Sequence, residues 1–287
     1  MEEVNRAIVP ISTFNSKFLP LSRIFPKAAC PVSDKPIIHY LVKEIRDSEI
    51  NEVVFVLDSS KNSLLQYFES PKDFEAVLKK NNREDVLMDL DELSKLTKGL
   101  KIITINQARP VSAAHAILLA AEKTSFAPAA ILFADYLIDS EEPCTSQLIK
   151  IFKTSQRPIL GLNRIEKDRG YNTVDVEIIA KRVSKIKKIH LADSKHSSEL
   201  GIIGRYIFNR ELFDYLKQEK SHLKENLTIF NALDRMMTDG KSVYGYEFEG
   251  TMLECNNKLN WIKTNIYYSL KDSRHGSEIK SFIKKYI

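Results

Sequence analysis

The chain has 287 residues, of which 43% are hydrophobic and 28% are charged, and its formal net charge is +5. This composition is typical of a globular protein with a large core, and the modest basic excess has no nucleic-acid recognition motif beside it. No apolar run approaches the roughly 18 residues that span a membrane, and the acidic N-terminus is unlike a secretory signal. We therefore expect a cytoplasmic protein without nucleic-acid or membrane partners. Three widely spaced cysteines favour reduced thiols.

The first half of the chain alternates short apolar runs with amphipathic stretches. The predicted strands are Ala7–Val9, Val53–Leu57, Ile102–Ile105 and Ala130–Phe133. The predicted helices are Ile37–Ser48, Phe74–Leu96 and Ala113–Lys123. This alternation implies a parallel sheet with helices on both faces. Because ligands bind at the carboxyl ends of such strands, the loops at 10–36, 106–112 and 134–143 are candidate binding loops.

The second half changes pattern. Period-2 alternation predicts antiparallel strands at Thr173–Ile179 and Val183–Leu191, and further strands at Leu200–Phe208 and Val243–Phe248. The predicted helices are Glu211–Gln218, Leu227–Met237, Leu259–Leu270 and Glu278–Tyr286. The fold class is therefore α/β, with a mostly parallel, Rossmann-like sheet, helices on both faces and a smaller antiparallel sheet. Repeats and long linkers are absent from the sequence, so we predict a single domain.

The loop after the first strand has the layout of a phosphate-binding site. The strand Ala7–Val9 leads into a polar loop with spaced prolines and lysines, and a helix follows from Ile37. Such loops normally use glycine, which lets the backbone approach the phosphate closely. The first glycine of this chain is Gly99. The frame of a phosphate loop is thus present without its glycines.

Residues spread in order over nearly the whole chain give it a resemblance to a known family. They are Ala7–Pro10, Pro26-Lys27, Asp34–Pro36, Ser59–Ser63, Gln107, His115-Ala116, Asp135, Gly204–Tyr206, Tyr246–Gly250, Cys255 and Lys258-Leu259. With them the chain resembles the bacterial UDP-glucose pyrophosphorylases (UTP–glucose-1-phosphate uridylyltransferases) of the sugar-nucleotidyltransferase superfamily. The resemblance implies a GT-A-like fold with a nucleotide-binding half at 1–140, a sugar-side half at 141–257 and C-terminal helices at 258–287.

The activity that this resemblance implies is attack of a sugar 1-phosphate on the α-phosphorus of a nucleoside triphosphate, with release of pyrophosphate. Such chemistry requires cations and backbone N–H groups that hold two polyanions in line. The family pattern G-x-G-T-R and P-x-T-K-x-x-P-K-E implies catalytic roles for Lys27, which matches, and for Lys17, which replaces arginine. The same pattern implies nucleotide-binding positions at Ile11, Ser12, Thr13 and Arg23.

The family's nucleobase and metal positions also map onto this sequence. Gln107 matches a glutamine that reads the base, and Ala114 stands where the family pattern G-L-G-H-A has a glycine. The neighbouring His115 is interpreted as a helix-start histidine. Asp135 and Glu254 are the implied Mg²⁺ ligands, because carboxylate oxygens suit that ion. Glu254 stands in place of the aspartate of D-C-G-x-K, so its carboxylate lies farther out by about one carbon–carbon bond.

The sugar site is the weakest part of the resemblance. The implied sugar-binding positions are Asn172, Glu199 and Lys258. The Glu-Lys-Pro run of the family has no counterpart between 188 and 199, where Asp193 and Lys195 are the nearest substitutes. The helix-start segment 226–232 carries amides where the family has carboxylates. We therefore expect little recognition of a glucosyl phosphate.

The departures from the family pattern fall mainly on glycine and polar positions, while the apolar framework matches. Loss of one electrostatic donor typically costs about 10²–10³ in rate. The leading hypothesis is a uridylyltransferase-fold protein with weak or absent catalysis, which acts as a binding or regulatory paralogue. Its expected partners are UTP or UDP-glucose and either a second copy or an active relative. The sequence leaves open an active, Mg²⁺-dependent enzyme for glucose 1-phosphate or another sugar, and a scaffold with a vestigial cleft.

Overall fold

A computed structural model of the protein describes residues 1–11, 16–24, 26–57, 59–69, 72–109, 111–165, 170–192, 194 and 198–286. The strands are, in chain order, β1 (Arg6–Pro10), β2 (Pro31–Val32), β3 (Lys35–Pro36), β4 (Glu52–Leu57), β5 (Lys101–Asn106), β6 (Ala129–Leu132), β7 (Tyr136–Asp139), β8 (Ile159–Arg164), β9 (Thr173–Ala180), β10 (Val183–His190), β11 (Leu200–Phe208), β12 (Tyr244–Glu247) and β13 (Thr251–Glu254).

The α-helices lie between and after these strands. They are α1 (Ile37–Asp47), α2 (Lys72–Lys80), α3 (Glu84–Thr97), α4 (Ala113–Lys123), α5 (Cys144–Ser155), α6 (Arg210–Leu223), α7 (Ile229–Thr238), α8 (Lys258–Lys271) and α9 (Gly276–Ile283). Short 3-10 helices occur at Ser16–Phe18, Leu21–Arg23, Lys27–Ala29, Ser59–Phe68 and Lys224–Asn226. Within the described ranges, no helix is both long enough and apolar enough to cross a lipid bilayer.

Within the part of the chain that the structure describes, the central sheet contains nine strands in the order β5-β4-β1-β6-β11-β8-β12-β10-β9. Strands β5, β4, β1 and β6 are parallel, and β12 also runs parallel to β8. The pairings of β11 with β6 and β8, and of β10 with β9 and β12, are antiparallel. The predicted α/β class with a mostly parallel sheet is confirmed. The antiparallel strands β9 and β10 continue this sheet, while β7 and β13 form a small antiparallel sheet of their own.

Alternate residues of the parallel strands enter two cores on opposite faces of the sheet. Ile8 and Val54 face the core that contains Ile117 of α4. Val9 and Phe55 face the core that contains α1. Since successive side chains of a strand point to opposite faces, two buried faces require the continuous apolar runs seen in the sequence. The parallel strands thereby place their carboxyl ends along one edge of the sheet.

The structure differs from the sequence predictions at several elements. The predicted helix Phe74–Leu96 is two helices, α2 and α3, and the break contains Asn82 with a left-handed φ of 54°. Asparagine tolerates this conformation better than most residues. The predicted loop 134–143 contains the strand β7. Helix α5 and strands β8 and β13 were not predicted from the sequence.

The three cysteines are buried and unpaired. Burial raises the pKa of the Cys30 thiol to about 11 and that of Cys255 to about 12. Thiols with such pKa values remain protonated near neutral pH and are poor nucleophiles. The cysteines therefore serve as small apolar core residues.

Candidate functional site

A cavity of about 270 Å³ opens at the edge where the parallel strands end. It lies between the start of α4, the segment after β6, the middle of β11 and the start of α7. Its described lining residues are Ser112, Ala113, Ala114, Phe133, Asp135, Tyr136, Asn172, Ile202, Gly204, Tyr206, Leu227, Thr228, Ile229 and Phe230. Most of this lining is apolar or aromatic, as in many small-molecule sites.

Lys27 and Asp135 form an ion pair beside this cavity. The 3-10 helix Lys27–Ala29 follows Pro26 and presents Lys27 toward the end of β6. Its Nζ lies 2.5 Å from Oδ1 of Asp135, and the two side chains are 12% and 34% exposed. A second space of about 30 Å³, room for about one water, is lined by both residues together with Ile11. The structure thus brings together three of the predicted site residues.

The segment that carries Asp135 is fixed by the buried side chain of Arg205. Its Nη1 donates to the carbonyl oxygen of Phe133 at 2.9 Å, and its Nη2 donates to that of Tyr136 at 3.0 Å. Between them, the carbonyl oxygen of Asp135 accepts from the backbone N–H of Cys255 at 2.6 Å. Hydrogen bonds to the carbonyl oxygens of residues 133, 135 and 136 therefore hold the backbone around Asp135.

Arg205 is neutralised by Glu44 of α1. The guanidinium contacts both carboxylate oxygens at 2.8 to 3.1 Å, and the two side chains are 1% and 9% exposed. Thr145 donates to the same carboxylate from its hydroxyl at 2.6 Å and from its backbone N–H at 3.2 Å. Burial lowers the pKa of Arg205, but Glu44 outweighs it, so the net shift is upward and the guanidinium stays charged.

The sequence analysis did not predict that Arg205 and Glu44 form an ion pair. Two signals could have found it: Arg205 interrupts the otherwise apolar strand β11, and Glu44 lies on the helix face of the buried Ile37 and Leu41. A charge on a buried face needs a partner of opposite charge.

The two predicted metal ligands are neighbours, since Glu254 pairs with Tyr136 across β13 and β7. Each carboxylate, however, faces hydrogen-bond donors of the protein. Glu254 accepts from the hydroxyl of Tyr171 and, at 2.7 Å each, from the side-chain amides of Asn256 and Asn260. Asp135 accepts from Lys27. Within the described residues, no group of three or more His, Cys, Asp and Glu could hold a metal ion.

The start of α4 forms the opposite wall of the cavity. Ser112 caps this helix by accepting from the backbone N–H of His115 at 3.4 Å, and its hydroxyl donates to the carbonyl oxygen of Leu227 at 2.8 Å. The imidazole Nδ1 of His115 lies 2.8 Å from the same hydroxyl. Burial, together with the positive charge of Lys220, lowers the pKa of this histidine. His115 therefore has the helix-start role predicted for it. Gln107 is buried directly after β5, and its backbone N–H donates to the carbonyl oxygen of Leu57 at 2.7 Å.

The remaining predicted residues are scattered. Asn172 lines the cavity, and its Oδ1 accepts from the N–H of Ala192 at 3.0 Å. Lys17, Arg23, Glu199 and Lys258 are exposed and are not among the described residues that line either space. Nζ of Lys258 donates to the carbonyl oxygen of Leu19 at 2.9 Å. Oε2 of Glu199 lies 3.7 Å from Nη1 of Arg164. Ser12, Thr13, Asp193 and Lys195 lie outside the described residues.

The fold and the site at the ends of its parallel strands define a class of protein. The chain belongs to the nucleotidyl transferase family, whose model matches residues 14–264. It is 29% identical over 289 residues to the UTP–glucose-1-phosphate uridylyltransferase of Staphylococcus haemolyticus and 27% identical to that of Staphylococcus epidermidis; each match covers 99% of both chains.

Solved structures agree with this assignment. A UTP-bound UGPase from Acinetobacter baumannii matches with a TM-score of 0.87 at 25% identity, over 98% of both chains. A UDP-glucose pyrophosphorylase from the same organism matches in fold with a TM-score of 0.89, at 24% identity over 99% of this chain and 100% of that one. The resemblance to the UDP-glucose pyrophosphorylases is confirmed.

Proposed function

We propose that this protein binds UTP or UDP-glucose in the 270 Å³ cavity and catalyses uridylyl transfer weakly or not at all. One observation carries both parts of the proposal. Among the described residues that line the two spaces, Lys27 is the single cationic side chain. One lysine is sufficient to attract a phosphate group, whereas transfer of a nucleotidyl group needs several positive groups around the reacting phosphates.

Three features support binding. The cavity lies at the carboxyl ends of parallel strands, where α/β proteins bind nucleotides. Its aromatic side chains, including Phe133 and Phe230, offer apolar surface to a ring. Its volume is near the lower end of the range for small-molecule sites, about 300–1,000 Å³, which suits a nucleoside. The similar solved structure from Acinetobacter baumannii is UTP-bound, and the similar staphylococcal proteins are named for UTP and glucose 1-phosphate.

Isothermal titration of UDP-glucose tests the binding. We expect the substitution Lys27→Met to weaken the affinity about 10- to 100-fold, the usual range for losing one charge-assisted hydrogen bond. Lys153→Met, at an exposed lysine on α5, is the matched control and should leave the affinity unchanged. Absence of any heat with UTP or UDP-glucose would reject the proposed binding.

Pyrophosphate release from UTP and glucose 1-phosphate tests the second part. We expect a rate close to that without protein, for both the native chain and Lys27→Met. Turnover of about 1 s⁻¹ or more, abolished in Lys27→Met, would reject weak catalysis.

An active uridylyltransferase is the second candidate, and one observation favours it. Lys27 and Asp135, the two matches to the family's reacting site, lie side by side at the cavity with 2.5 Å between Nζ and Oδ1. The same pyrophosphate assay, repeated with other sugar 1-phosphates, separates this candidate from the first.

A further inference from the structure

We propose that nucleotide binding by this protein does not use Mg²⁺, and that Lys27 supplies the positive charge that the ion would otherwise provide. The inference rests on the proposed nucleotide binding. It follows from a disagreement between the metal that the family resemblance implies and the donors that surround Glu254 and Asp135 in this chain.

The carboxylate of Glu254 is surrounded by hydrogen-bond donors. The hydroxyl of Tyr171 donates to Oε1, and the amide nitrogens of Asn256 and Asn260 both donate to Oε2 at 2.7 Å. Three donors stabilise a carboxylate without any cation. A metal ion that approached Glu254 would have to displace these donors, which are part of the protein itself.

The neighbouring amides are oriented by the backbone, so they present nitrogen and not oxygen to Glu254. The backbone N–H of Asn260 donates to Oδ1 of Asn257 at 2.9 Å, as expected for the residue that caps α8. The Nδ2 of Asn257 therefore faces Asn256 and donates to its Oδ1 at 2.9 Å. This contact leaves the Nδ2 of Asn256 for Glu254. Because Mg²⁺ binds oxygen ligands, amides in this orientation cannot complete its coordination shell.

Asp135 cannot supply a metal site alone. Its Oδ1 is bonded to the ammonium of Lys27, and a divalent cation at that carboxylate would lie against this positive charge. Mg²⁺ also demands a near-octahedral set of ligands. The geometry instead leaves Lys27, held 2.5 Å from Asp135, as the cation that a phosphate group meets at the cavity.

A Mn²⁺ titration followed by electron paramagnetic resonance tests the inference both without and with nucleotide. The spectroscopic signal of free Mn²⁺ is compared for the native chain and Glu254→Gln, each alone and with UDP-glucose. We expect the two proteins to bind equal, low amounts of Mn²⁺. One Mn²⁺ per chain, lost in Glu254→Gln, would overturn the inference.

A second titration measures UDP-glucose affinity in Mg²⁺ and in EDTA. We expect the two dissociation constants to agree within about twofold, whereas a loss of tenfold or more in EDTA would overturn the inference. If UDP-glucose binds in neither buffer, the proposed function fails, and the Mn²⁺ titration still decides whether the chain holds a metal ion.

The double substitution Glu254→Asp with Asn256→Gly tests whether the side-chain donors exclude the metal. It shortens the carboxylate and removes one donor to it. We expect this variant to bind more Mn²⁺ than the native chain, while Glu278→Asp, at an exposed carboxylate on α9, should not. Equal Mn²⁺ binding by the double variant and the native chain would show that these donors are not what excludes the ion, and would overturn that part of the inference.

Discussion

Two ion pairs contact the segment at residues 133–136, and they differ in how completely their polar groups are used. Arg205 bonds both oxygens of Glu44 and the carbonyl oxygens of Phe133 and Tyr136, and it is almost wholly buried. Among the described residues, the ammonium of Lys27 makes a single contact, with Asp135, beside the cavity. The pair of Arg205 and Glu44 therefore has few hydrogen-bonding groups left for a ligand. The ammonium of Lys27 keeps two N–H donors and lines the space of about 30 Å³.

This difference in burial and hydrogen bonding indicates different roles for the two ion pairs. We call the pair of Arg205 and Glu44 the framework pair. A saturated, buried pair fixes the backbone, because losing either partner leaves a charge without water or a counter-ion. A partly exposed pair with one contact can exchange its partner for a phosphate group at small cost. Arg205 and Glu44 therefore hold the segment that carries Asp135, and under the proposed function Lys27 is the residue that recognises the ligand.

The largest effect is expected from Arg205→Met, which breaks the framework pair. It leaves the Glu44 carboxylate buried beside an uncharged side chain, and we expect a loss of about 3–5 kcal/mol in the free energy of unfolding. Urea unfolding followed by circular dichroism measures this loss.

Lys27→Met is the comparison variant in the same unfolding experiment. Because Asp135 is one-third exposed, water can solvate its carboxylate, and we expect a change of less than about 1 kcal/mol. Equal losses from Arg205→Met and Lys27→Met would remove the distinction between the two ion pairs.

The pH dependence of stability provides a second test of the region around the framework pair. It depends on His39, which lies on α1 with Glu44. Its Nδ1 is 2.9 Å from the hydroxyl of Tyr67, and burial, with Lys35 adding, lowers its pKa from 6.5 to about 4. The unfolded chain therefore binds a proton between pH 6.5 and 4 that the folded chain does not. The contribution of His39 to stability is fully present above about pH 6.5 and falls as the pH drops to 4, by about 3 kcal/mol.

Urea unfolding at pH 7 and at pH 4.5 measures this contribution. The decrease should be larger by about 2 kcal/mol for the native chain than for His39→Gln, which cannot titrate. Other groups titrate in both proteins, so their effects cancel in the difference. Equal decreases would mean that His39 is protonated in the folded chain as readily as in the unfolded one.

Much of the fold was predictable because apolar periodicity decides it. The bounds of α4 and β11 agree with the sequence prediction, since apart from Arg205 in β11 their buried side chains are apolar or aromatic. Helix α5 was missed because its buried face contains polar residues. The buried hydroxyl of Thr145 is hydrogen-bonded to Glu44. The buried amide of Gln147 is hydrogen-bonded to the backbone of Glu142 and Glu249. Periodicity cannot count a polar residue as buried until its partner is known.

The site was predictable only in part, for a related reason. Lys27 and Asp135 are placed by the family motif, and the structure brings them into contact. The contacts that complete the site join residues far apart in the chain: Glu44 with Arg205, 161 positions away, and Tyr171 with Glu254, 83 positions away. Such pairs follow from the sheet order, which the sequence alone does not specify.

A smaller loss than that from Arg205→Met is expected from Thr145→Val, which removes one hydroxyl that donates to Glu44 and keeps the ion pair of Glu44 with Arg205. The lost bond joins the Thr145 hydroxyl to Oε1 of Glu44 at 2.6 Å, and the backbone N–H of residue 145 still donates to the same oxygen. We expect a loss of about 1 kcal/mol in the free energy of unfolding, measured with urea.

Thr154→Val is the matched control on the same helix, because its hydroxyl donates to the carbonyl oxygen of Ile151 at 3.0 Å on the exposed side of α5. We expect this change to stay within about 0.5 kcal/mol. Both substitutions exchange a hydroxyl for a methyl group in one helix, so differences in helix propensity cancel between them. The remaining difference measures the bond to Glu44, and if the two losses were equal, the Thr145 hydroxyl would not stabilise the buried carboxylate that holds Arg205 in place.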